Sequence, residues 1–157
     1  MSWRGSTTVP DRIFACLPYL LPLMDGISYG QFLFQQFPPL QLILLPLGPL
    51  LQIYTLPLAG FVIFLALYFA VVRNENISHF IRFNAMQAIL IDIVLILCNI
   101  ILSLFSGALS GGFIMETIFN MIFLGMIISI GYSVIQSALG RYAEIPTISD
   151  AVYMQVR

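Results

Sequence analysis

The chain has 157 residues, of which 60% are hydrophobic and 8% are charged, with a formal net charge of −1. A soluble domain carries about a quarter charged residues, so a water-covered surface is excluded, and the small net charge gives no bulk attraction to nucleic acid. The composition specifies an all-α polytopic membrane protein, one membrane domain over 1–157.

The sequence predicts four transmembrane helices at about 9–28, 51–72, 83–105 and 113–139, an interfacial or re-entrant segment at 29–50, and a tail at 140–157. The first apolar run, Ile13 to Met24, is shorter than the roughly 20 residues a crossing needs. It spans only if extended from about Thr8 to Tyr29, and Pro18 and Pro22 should kink it. Asp25-Gly26 then reads as a turn. From Tyr29 to Gln52 the chain is apolar but holds Pro38, Pro39, Pro46 and Pro49, which no single straight helix accommodates. An interfacial segment with Phe32, Phe34 and Phe37 among headgroups is one reading, a loop the other.

Ile53 to Val72 reads as a clean span with a bend at Pro57 and Gly60. Phe83–Phe105 and Phe113–Leu139 follow, joined by SGALSGG, a link short enough to make them an antiparallel hairpin. Glu116 suits the positive end of the last helix dipole, and Gly140 suits its stop. In the tail, Ser149 is expected to cap a short helix whose Val152, Tyr153 and Val156 lie on the membrane face.

All six basic residues are arginines, in three groups: Arg4 and Arg12, Arg73 and Arg82, Arg141 and Arg157. With four crossings these groups share one face, and the positive-inside rule puts both termini in the cytoplasm or its organellar equivalent. A first segment that only dipped into the membrane would put Arg4 and Arg12 opposite the other four. Asp25 and Glu116 are assigned to the opposite face. No A-x-A-like cleavage site or transit peptide is visible. Cys16 and Cys98 stand in separate apolar segments and read as buried thiols.

Asp92 is the main candidate for chemistry, because a carboxylate within a span must face protein, hold a proton or reach water. At 100° per residue, Asn99, Ser103 and Ser106 fall within about 40° of it. This stripe of Asp92, Asn99, Ser103 and Ser106 lines a cavity or translocation path, or else bonds one helix to its neighbour. Gly125, Ser129, Ser133 and Ser137 recur every four residues, a pattern that lets helices approach closely, within one chain or between copies. His79, the only histidine, is expected at headgroup level between Arg73 and Arg82. No ligand set for a metal, no cofactor fingerprint and no catalytic motif is present, so the reading is not an enzyme and has no cofactor.

Three runs carry a resemblance: RIFACLPYLLPLMDGISYG, FAVVRNENISHFIRFNAMQAILIDI and GRYAEIPTISDAVYMQV. Together they resemble the twenty-kilodalton (Tic) subunit of the translocon at the inner envelope membrane of chloroplasts, with its cyanobacterial and plastid-encoded relatives. The resemblance covers nearly the whole chain. It places Arg82, Asn84 and Gln87, with Asp92, in the most characteristic block, at the membrane face. It implies a four-helix protein with stromal or cytoplasmic termini, in the plastid inner envelope or a cyanobacterial plasma or thylakoid membrane. Implied partners are other membrane subunits, a precursor polypeptide, lipids and a second copy, with no nucleic acid. Two other functions stay open. One is a structural accessory or assembly subunit; the other is a small-ion carrier using Asp92, for which the sequence offers no second paired charge.

Overall fold

The computed structural model describes residues 6–109 and 112–157, so Arg4 and the Ser110-Gly111 part of the predicted hairpin link lie outside the described residues. The described residues are helical, without strands. The first element, α1 (Val9–Gln36), is one continuous helical run. It begins with a capping box, in which Thr8 and Asp11 satisfy each other's backbone N–H.

Two expectations fail in α1. Asp25-Gly26 is not a turn, and the helix continues to Gln36, eight residues beyond the predicted 28. Pro18 and Pro22 do not end it, because the backbone tightens into a 3₁₀ turn over Leu17–Tyr19. Each proline then sits in the first turn of a short segment, where its missing N–H has no intrahelical role. Phe32 and Phe34 meet Phe119 and Phe123 edge-on.

The predicted interfacial stretch folds as α2 (Pro38–Tyr54), mostly 3₁₀, with Leu42, Ile43 and Leu45 exposed. A break follows, and α3 (Ala59–Val72) leaves it at 96°. Leu58 occupies the break with φ of 63°, a left-handed conformation that a leucine adopts only at a cost of about 1–2 kcal/mol. The clean span expected over 51–72 is thus broken. The α3 helix is about 20 Å long, short of a roughly 30 Å hydrocarbon core.

The two long helices come where expected, as α4 (His79–Leu104) and α5 (Gly112–Ala138). Gly140 ends α5 with φ of 74°, and Arg141 N–H returns to Gln136 O. Helices α4 and α5 are not a simple closed hairpin, because α1 packs between them and covers each more than they cover one another. Gly26 and Gly30 make this possible. A Cβ at Gly26 would collide with Met126 Sδ, and one at Gly30 would lie 2.7 Å from Phe123 Cε2. The core follows: Tyr19, Ala88, Leu95, Phe123 and Met126 fill the α1–α4–α5 seam.

The tail helix α6 (Ile148–Gln155) also departs from expectation. Thr147, not Ser149, occupies its N-cap. Val152 and Val156 are buried against Phe83, Met86 and Ile89 and do not lie on the membrane face. The tail is therefore part of the core.

Candidate functional site

Two polar layers interrupt the apolar interior. The first lies a few turns into α4. Tyr19 of α1 donates to Asn84 Oδ1 at 2.8 Å, and Ser137 of α5 donates to the same oxygen at 2.7 Å. Asn84 Nδ2 donates back to Phe80 O at 2.9 Å. One turn on, Gln87 Nε2 donates to Ser133 Oγ at 3.0 Å and to Tyr19 Oη at 3.3 Å, while Gln87 Oε1 accepts from Ser149 of α6 at 3.1 Å. Asn84, Gln87, Ser133 and Ser137 are fully buried. The network joins four elements through two amides, whose paired donors and acceptors suit them to such bridging.

Arg82 closes the end of this layer. Its Nε donates to Val72 O at 2.9 Å and its guanidinium reaches Arg157 O at 3.2 Å, which ties the end of α3 and the C-terminus to α4. Arg82, Asn84 and Gln87, assigned above to the membrane face, are thus buried between elements rather than displayed. His79 pairs with Tyr142 Oη at 2.9 Å and with Val156 O at 3.3 Å, so it too serves the tail. The contacts put the described arginines at one end of the bundle. Arg12 lies beside Gly140, Ser78 donates to Asp11, and Arg82 joins Val72 to Arg157.

The second layer lies near the middle of α4. Asp92 is 1% exposed, and its carboxyl lies near that of Asp25 on α1, the two facing one cleft. Asp25 therefore sits within the span, not on the opposite face, and supplies the partner that Asp92 lacked in the sequence. Both acids line a cleft of about 360 Å³ with Tyr29, Gly60, Phe64 and Asn99. Asn99 shares this cleft, whereas Ser103 and Ser106 lie further along an exposed face and donate to Asn99 O and Ser103 O of their own helix.

The small-residue row of α5 divides. Ser133 and Ser137 meet α4, but Gly125 faces open space and Ser129 donates to Gly125 O. A four-residue step overshoots a full turn by about 40°, so the row winds away from α4 over three steps. Tyr19, Ser149 and the Gly26–Gly30 pair were not singled out as a network or a seam. The glycine spacing is a legible small-x-x-x-small pattern; nothing local marks Tyr19 or Ser149 as partners of Gln87.

Three long apolar helices, a bent fourth segment and buried amide bridges define an all-helical, multi-pass integral membrane protein. It belongs to the Tic20 family: the family model described as chloroplast import apparatus Tic20-like matches residues 7–152. A Tic20 family protein of Synechocystis is 56% identical, over 100% of this chain and 99% of its own length. Protein TIC 20-II, chloroplastic, of Arabidopsis thaliana is 35% identical over 96% of this chain and 74% of its own. Protein TIC 20, chloroplastic, of Pisum sativum is 30% identical over 92% of this chain and 58% of its own.

Proposed function

We propose that this chain is a non-enzymatic membrane subunit of a protein translocon, forming the scaffold or one wall of the path by which precursor polypeptides cross. The family match over residues 7–152 carries this reading. Four crossings, with α2 and α3 together making the second, would put both termini on the stromal or cytoplasmic side. The clustering of the described arginines at one end supports that orientation. The membrane would be the plastid inner envelope or a cyanobacterial plasma or thylakoid membrane.

The interior favours a wall over a pore. Tyr19, Phe83, Ile89 and Gln87 fill the bundle axis, which leaves no room for a polypeptide inside one copy. Only 17% of the most apolar window of α5 is buried, so its outer face is available to lipid, a second copy or another subunit. A polypeptide path would then run between this chain and its partners. Asn99 and Ser103 are accessible enough to border such a path, whereas Asp92 is not.

Photo-crosslinkers at Asn99, Ser103, Ile128 and Ile135 test the reading during arrested translocation. Adducts to the precursor from either pair support a wall. Adducts only to lipid or neighbouring subunits, while precursor still crosses, would move the assignment to an accessory or assembly subunit. The burial of Asp92, which keeps it from bordering any path, is the observation that favours this second reading.

A further inference from the structure

We propose that Asp25 and Asp92 form a proton-binding site near mid-membrane, in which one proton bridges the two carboxyls and the adjoining cleft is its exchange route to water. The first argument is chemical. An ionised carboxylate only accepts hydrogen bonds. Two carboxyls side by side on one cleft can bond to each other only through a proton held between them.

The surroundings give no other way to compensate the charge. Helix α1 presents Tyr29 beside Asp25, α4 adds Asn99 and, next to Tyr29, Cys98, and Tyr54 of α2 faces the pair. Helix α3 contributes only Gly60 and apolar rings, and α5 sets Phe123 and Met126 against α1. No basic side chain among the described residues lines the cleft. The described arginines whose contacts are given lie toward the far end, around Ser78 and Gly140.

The second argument concerns Asp92 itself. It is 1% exposed, lines the cleft, and leaves Oδ1 without a hydrogen-bond partner. A buried acceptor of this kind calls for a donor. The cleft of about 360 Å³ far exceeds the roughly 30 Å³ share of one water, and its polar groups could hold water as that donor. Gly60 keeps the site open from α3, because a Cβ there would stand 3.2 Å from Asp25 Oδ1. Loss of the proton would leave two like charges facing one cleft, on the two helices that α3 covers.

The chain's four aspartates make a direct test practical: Asp11, Asp25, Asp92 and Asp150. Asp11 accepts from Thr8 N–H, Thr8 Oγ1 and Ser78 Oγ, the pattern of a carboxylate, and Asp150 is exposed. Full-length protein carrying ¹³C-carboxyl aspartate in lipid nanodiscs would be followed by infrared spectroscopy. At neutral pH one of the four aspartates should be protonated. Its band should shift in D₂O, fade as pH rises, and vanish in Asp25→Asn/Asp92→Asn. Four ionised aspartates at neutral pH would overturn the site, as would a band that survives the double substitution. A band that neither exchanges nor titrates would overturn the route through the cleft. The wild-type spectrum decides the matter even where the variant misfolds.

Discussion

Gln87→Met isolates the amide layer. Methionine matches glutamine in length, is unbranched and forms helices equally well, so the change removes polarity with little change in shape or propensity. Three side-chain bonds are lost: to Tyr19 at 3.3 Å, to Ser133 at 3.0 Å and from Ser149 at 3.1 Å. Interhelical hydrogen bonds in membrane proteins average about 0.6 kcal/mol and reach about 1.7. Three give about 2 kcal/mol at the mean and about 5 at the upper end. The lower half of that range applies, because Tyr19 keeps its bond to Asn84 and Ser149 keeps Ile145 N–H and Ala143 O. The expected loss is about 2–3 kcal/mol, some 30- to 150-fold in the folding equilibrium.

Reversible unfolding by denaturing detergent in mixed micelles, followed by far-ultraviolet circular dichroism, measures it. The double variant Gln87→Met/Ser149→Ala should lose less than the two single losses added together, since both remove the same bond. A loss below about 0.5 kcal/mol for Gln87→Met, or strict additivity in the double variant, would refute the claim that the network holds α6 to the core.

Three further outcomes follow from other contacts. Gly30→Ala sets a methyl group 2.7 Å from Phe123 Cε2 and 2.8 Å from Phe34 Cε2; rigid rings yield poorly, so a loss of about 1–3 kcal/mol should appear in the same titration. Gly125→Ala meets nothing within 4 Å and should leave the monomer's stability unchanged or slightly raised, so a clear loss would indicate that this face is covered in the assembled protein. Leu58→Gly relieves the left-handed strain at the exposed break and should raise stability by up to about 1 kcal/mol, the gain being limited by glycine's greater freedom in the unfolded chain.

Much of the architecture was legible because the bilayer makes the reading coarse and robust. Long apolar runs with few charges fold in lipid as helices, and α4 and α5 came within a few residues of their predicted bounds. The errors cluster where a rule learned in water was applied in lipid. Asp-Gly marks a turn on a soluble surface, but here Gly26 is the notch into which Met126 fits and Asp25 lines a cleft with Asp92. The prolines of α1 read as kinks, and the backbone answers Pro18 with a 3₁₀ turn while Pro22 sits in the first turn of the segment that follows. The valines of α6, spaced four apart, look the same whether they face lipid or protein, and partners some 60 to 80 residues earlier, Gln87, His79 and Phe83 among them, decide the matter.

The two polar layers divide the labour of holding α1 in place. Near the arginine-bearing end, the amides of Asn84 and Gln87 are neutral and well supplied with partners, so they should hold at any physiological pH. Near mid-membrane, the same two helices each set an acid against one cleft, beside a short helix that begins at a strained leucine. A bundle built this way is fixed at one end and conditional at the other. If the chain moves during transport, the motion should therefore appear around Asp25, Gly60 and the α2–α3 break, while the contacts of Tyr19 and Ser149 persist. Hydrogen exchange resolved by segment distinguishes these. Faster exchange across 15–22 and 145–156 than across 55–64 would put the hinge at the wrong end of this argument.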